Sequence, residues 1–156
     1  MRDQGLAMRV AMTSVFAALY ATITIALTPI SFYEIQVRIS DSLLALSLLF
    51  GTPVVIGTSV GCFIANLLGP FGVVDAIGGS LANLIAAYLG WRLRRRKVLA
   101  LAQMPFTISI VVSSYLYELL GLPFPVTFIY VLAGSLISIV LIGSLLLKLL
   151  GRWYDM

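Results

Sequence analysis

Five stretches of this chain run without a charge: Val10–Tyr33, Ser42–Val74, Ala76–Trp91, Val98–Tyr117 and Leu119–Leu147. A helix needs about 20 mostly apolar residues to cross a hydrocarbon core of about 30 Å. The 33 residues of Ser42–Val74 exceed one span, and Gly51-Thr52-Pro53 supplies the break. Proline lacks a backbone N–H and clashes with the preceding turn, so a helix should end there. The pattern predicts six helices near 6–28, 38–51, 54–69, 73–92, 98–119 and 125–149, joined by very short connections. The expected fold is therefore all-α, an integral membrane protein built as one six-helix domain over 1–156. The first apolar run is long for a signal peptide, and no small-residue cleavage pattern closes it.

Composition agrees with this reading. Of 156 residues, 61% are hydrophobic and 10% charged, with mean hydropathy +1.09. Soluble domains carry about 25% charged residues. A soluble fold of this length cannot hide so much apolar surface. A disulfide scaffold, a disordered segment and a conventional soluble enzyme are all excluded. The lone Cys62 has no partner for an internal disulfide, and the chain has no histidine.

Charge sets the orientation. With six spans, Arg2, Arg9, Arg92, Arg94, Arg95, Arg96, Lys97, Lys148 and Arg152 share one face, and Arg38 alone falls on the other. Lys and Arg stay on the cytoplasmic side, so both termini are expected there. The run Arg92–Lys97 reads as a topology anchor, not a nucleic-acid patch. Trp91, Trp153 and Tyr154 sit where interfacial aromatics belong.

The acidic residues show the opposite asymmetry. Asp3 and Asp155 are terminal, whereas Glu34, Asp41, Asp75 and Glu118 map with Arg38 to the outer helix ends. Charges kept near hydrocarbon usually face a cavity or a partner. Arg38 has local candidates in Glu34 and Asp41, at i,i+4 and i,i+3 spacing. Asp75 and Glu118 come from distant loops and are the stronger site candidates. Asn83, eight residues below Asp75, is a candidate for the cavity floor, while Asn66 reads better as interhelical glue and Gln103 lies too near the cytoplasmic end. Phe71, Tyr115 and Tyr117 are among the aromatics ringing the same region. Carboxylates, an amide and rings together suit a flat polar heterocycle, although aromatics at this depth also serve as anchors.

Ala7, Ala11, Ser14, Ala18 and Ala21 make a stripe of small residues down the first helix, supplemented by Ala17-x-x-x-Ala21. Such stripes let another helix approach closely, whether from a partner or from within the bundle. Gly57-x-x-x-Gly61 has the same two readings. No P-loop, metal-ligand cluster or nucleophile–base pair occurs. No catalytic residue, metal or cofactor is expected, and ATP-driven movement would need another subunit's ATPase.

Ile35–Leu43 (IQVRISDSL) and Gly61–Ala87 (GCFIANLLGPFGVVDAIGGSLANLIAA) resemble the QueT family. Its members are the proposed queuosine-precursor substrate-binding (S) subunits of energy-coupling-factor (ECF) transporters. Asn66–Asp75 is the most specific part, and Asp41 departs from the glutamate expected there. The resemblance implies a six-helix S component in the cell membrane, binding a micronutrient from outside. It also implies partners, namely a coupling transmembrane subunit driven by two ATPase subunits. An Ala-x-x-x-Ala surface on helix 1, Ala17/Ala21 or Ala7/Ala11, would dock the coupling subunit. A 7-deazaguanine base would place its N1–H and 2-amino edge on Asp75 or Glu118, and O6 on Arg38 or Asn83. Its ring would stack on Tyr115, Tyr117 or Phe71. Glu34 and Asp41 complete the candidate set, where a second carboxylate would hold an aminomethyl cation. The competing readings are an S component for another vitamin or nucleobase, and a stand-alone carrier.

Overall fold

The computed structural model describes residues 5–32 and 37–154. Glu34, together with Arg2, Asp3, Tyr33 and Asp155, lies outside them. The described residues are helical almost throughout, without strands. We label the rods α1 (Leu6–Ala26), α2 (Ile39–Phe50), α3 (Thr52–Leu67), α4 (Gly72–Arg92), α5 (Lys97–Leu120) and α6 (Phe124–Ser135, continued by Leu136–Gly143 and Ser144–Tyr154). A single helical turn, Thr28–Ser31, follows α1. These rods lie within two residues of the helices expected from the sequence at every end but the last.

α1, α4, α5 and α6 are long and apolar enough to cross a membrane, whereas α2 and α3 are shorter. α2 owes its place to its composition. Ser40 to Leu48 are all buried, and the helix touches α1, α3, α4 and α6. Leu43, Leu44, Leu46 and Leu48 put buried apolar side chains on several of its sides, and such a helix belongs in the interior. Its first eight residues, Ile39–Leu46, wind as a 3-10 helix. At about 2.0 Å rise per residue instead of 1.5 Å, this lengthens α2 by about 4 Å. The wider π-wound stretch Leu136–Gly143 of α6 lies beside it. Outward faces carry exposed apolar residues such as Val15, Ile56, Ile77, Ile110 and Leu141, as lipid contact requires.

Gly51 makes the α2–α3 break. Its φ of 72° is open to glycine, and Pro53 follows in the first turn of α3. The Gly57-x-x-x-Gly61 motif is used internally. A Cβ on Gly61 would stand 2.5 Å from the Ala17 carbonyl oxygen, and one on Gly57 2.6 Å from that of Thr13. The stripe on α1 therefore divides. Ala17 and the buried Ala21 turn inward, while Ala7, Ala11, Ser14 and Ala18 stay exposed.

Candidate functional site

The start of α2, the middle of α1 and the facing sides of α3, α4 and α5 bring two linked polar groups together near one end of the bundle. The first centres on Asp75, in the first turn of α4 and fully buried. Its Oδ2 accepts from Arg38 Nη2 at 3.1 Å, and its Oδ1 accepts from Tyr115 Oη at 2.7 Å. Asn66 Nδ2 donates to the Asp75 backbone carbonyl at 3.0 Å, tying α3 to α4. That is the interhelical role expected of Asn66. Arg38 is only 5% exposed. Its Nε donates to the Ser31 carbonyl at 3.3 Å, and its guanidinium lies 5.1 Å from the centre of the Phe32 ring. Phe32 meets Phe71 edge-on at 6.4 Å, so these two rings form a rim beside Arg38. The Tyr115 ring packs on the bare backbone of Gly78.

The second group centres on Asp41, 4% exposed in the 3-10 stretch. Tyr20 Oη donates to Asp41 Oδ1 at 2.5 Å and accepts from Asn83 Nδ2 at 2.9 Å. Beside it, the Thr24 and Ser40 hydroxyls meet at 2.6 Å. Arg38 and Asp41 join the two groups by lining one cavity of about 10 Å³ with Asn83, Gly79 and Ser135. That is room for about one water molecule. Among the described residues the centre thus holds two carboxylates and one guanidinium.

The sequence candidates sort as follows. Arg38, Asp41, Asp75, Asn83 and Tyr115 come together, and Phe71 reaches their rim. Arg38 does not take Asp41, its i+3 neighbour, as its ion-pair partner. It reaches across 37 residues to Asp75 instead, because α2 enters the bundle with Arg38 facing α4. Tyr117 and Glu118 stand apart. The Tyr117 hydroxyl donates to the exposed Glu118 at 2.9 Å, and its ring meets Phe124 edge-on. Glu118 lies three residues, about 4.5 Å of rise, beyond Tyr115 toward the helix end. Gln103 bonds the Ala86 carbonyl, away from the centre. Tyr20 was not among the sequence candidates. Its signal was available: a tyrosine deep in an apolar helix needs a partner for its hydroxyl.

Four apolar helices of membrane-crossing length, closed around a buried ion pair and a small cavity, define a membrane protein. The chain belongs to the QueT transporter family, whose model matches residues 10–152, nearly its whole length. It is therefore a membrane transporter protein with a small-molecule substrate, in a family that is not one of enzymes. No curated protein and no solved structure matches it.

Proposed function

We propose that this protein is the substrate-binding subunit of an ATP-driven ECF-type importer in the cell membrane, taking a queuosine precursor of the 7-deazaguanine class. In this reading all six rods span the bilayer as a single domain, both termini are cytoplasmic, and the site opens outward. The observation that supports it best is the buried set Arg38, Asp75, Asp41 and Asn83 together with the half-buried Tyr115. It combines carboxylate acceptors, a guanidinium donor and an aromatic face, which a flat base with adjacent N–H donors and a carbonyl would engage. Asp75 takes the N1–H and 2-amino edge, Arg38 or Asn83 the O6, and Tyr115 or Phe71 stacks. Asp41 is the second carboxylate, suited to an aminomethyl cation. Tyr117 and Glu118 belong to the outer approach, and Glu34 lies outside the described residues.

The coupling subunit, with its two ATPases, docks on the exposed part of the α1 stripe, Ala7 and Ala11. Ala17 and Ala21 are committed to packing inside the bundle. The deciding experiment is calorimetry on the isolated protein with 7-deazaguanine compounds with and without an aminomethyl arm. Binding of both, weakened several-fold to several-hundred-fold by Asp75→Asn, is expected, since a buried unpaired group costs about 1–3 kcal/mol. No binding of any such compound by the native chain would end the substrate assignment.

A further inference from the structure

The opposite end of the bundle carries a second polar feature that transport of a solute does not use. Between α4 and α5 the chain reverses in a tight turn, closed by the Arg96 N–H on the Leu93 carbonyl at 2.8 Å. Arg92, Arg94, Arg95, Arg96 and Lys97 place five positive charges within six residues, all exposed. Among the described residues no carboxylate pairs with any of them. Among these residues the one ion pair is Arg38–Asp75, and the described carboxylates, Asp41, Asp75 and Glu118, all belong to the other end.

A groove of about 470 Å³ opens between Trp91, Arg92, Arg94 and Arg95. Trp91 builds its wall. The indole nitrogen is buried against Gly51, where a Cβ would stand 3.0 Å away. The ring face is left for the Arg94 guanidinium, 5.6 Å from its centre. Trp91 itself is half-buried, the position of a residue at the edge of hydrocarbon. The groove therefore combines three guanidiniums, no counter-charge among the described residues and an aromatic wall at the depth of lipid headgroups. Guanidinium forks match phosphate oxygens in pairs. The free N–H groups in the first turn of α5 add positive potential of the same sign.

We propose that this groove binds the phosphate headgroup of an anionic phospholipid. Clusters of basic residues next to a membrane helix favour anionic lipid strongly enough to be read by titration. Arg9 and Lys148, elsewhere on this end, are exposed, and the groove of about 380 Å³ beside Arg9 has neither a second cation nor an aromatic wall. They supply the control.

The test is native mass spectrometry of the purified full chain in detergent, titrated with phosphatidylglycerol, phosphatidylcholine or inorganic phosphate. The native chain should retain phosphatidylglycerol at about tenfold lower concentration than phosphatidylcholine. Arg92→Gln/Arg94→Gln/Arg95→Gln should erase that preference, and Arg9→Gln/Lys148→Gln should leave it. A triple Arg→Lys variant keeps the charge that directs insertion but loses the paired donors, and should weaken retention about threefold or more. If the Gln variant fails to fold, this Lys variant decides. Equal retention by native and Lys forms in that case would overturn the proposal. So would equal loss in the Arg9/Lys148 control, which would mean bulk charge alone. Full competition by inorganic phosphate would show a free-phosphate site, and displacement of lipid by a short duplex DNA a nucleic-acid surface. Either would also overturn it.

Discussion

Cutting the Arg38–Asp75 pair from one side should cost more than its loss from both sides at once would suggest. The pair is 3.1 Å long, with Arg38 5% and Asp75 0% exposed. Removing one partner of a buried pair strands the other charge, at about 3–5 kcal/mol. Replacing both by neutral groups of similar volume removes the stranded charge as well. Asp75→Asn preserves shape and can still accept from Tyr115, and Arg38→Met keeps most of the apolar stem. If each single change costs about 3 kcal/mol and the double also about 3, the coupling is about 3 kcal/mol, the upper end for contacting residues. Reversible unfolding in mixed detergent micelles measures all four corners of the cycle. Additive costs, about 6 kcal/mol for the double, would refute the pairing. Singles within about 1 kcal/mol of the native protein would show that water reaches the pair.

The remaining expectations are simpler. Gly61→Ala should destabilise the bundle by about 1–3 kcal/mol, because its Cβ meets the Ala17 carbonyl at 2.5 Å; a thermal melt in detergent would show this, and an unchanged melt would mean that α1 and α3 separate at no cost. Ala11→Leu on the exposed part of α1 should abolish uptake in cells yet leave ligand binding by the isolated protein intact; lost binding with intact assembly would remove that face as the docking surface. Cys62 is fully buried and silent to reagents, so Leu122→Cys should label from outside intact cells while Lys97→Cys should not, and the reverse result would invert the topology.

Much of the bundle was legible because its signals are long. Charge-free runs each involve many residues and depend on the bilayer rather than on a specific contact, while the Gly51–Pro53 break is a local backbone signal. The site was legible in depth but not in azimuth. Asp75 and Glu118 both sit near helix ends, yet only Asp75 faces inward, and helix-end position carries no such information. The α1 stripe shows the same limit at single-residue scale. Ala17 and Ala18 differ by about 100° around the helix, and that turn separates contact with Gly61 from exposure. The Arg38–Asp75 pair spans 37 residues, beyond the reach of local i,i+4 reasoning. Tyr20 escaped because an isolated hydroxyl in an apolar run shows its importance only once Asp41 and Asn83 are placed beside it.

The geometry also constrains how a base would enter. Both oxygens of Asp75 are already engaged, one by Arg38 and one by Tyr115. An N–H edge arriving at this carboxylate takes a remaining lone pair or displaces one of these donors. Displacing Arg38 strands a buried guanidinium, whose remaining partners are a carbonyl at 3.3 Å, a thiol sulfur at 3.9 Å and the Phe32 ring. Displacing Tyr115 releases only a neutral phenol, and that side chain is half-buried, with a path outward. A neutral hydrogen bond is worth about 0.5–1.5 kcal/mol net, against several for a stranded charge. The exchange therefore falls on Tyr115. Its ring rests on the bare backbone of Gly78, and its departure leaves the Arg38–Asp75 ion pair in place. On the proposed reading, Arg38 would stay fixed as the donor that meets the base, and Tyr115 would be both the group displaced and the face against which the base stacks.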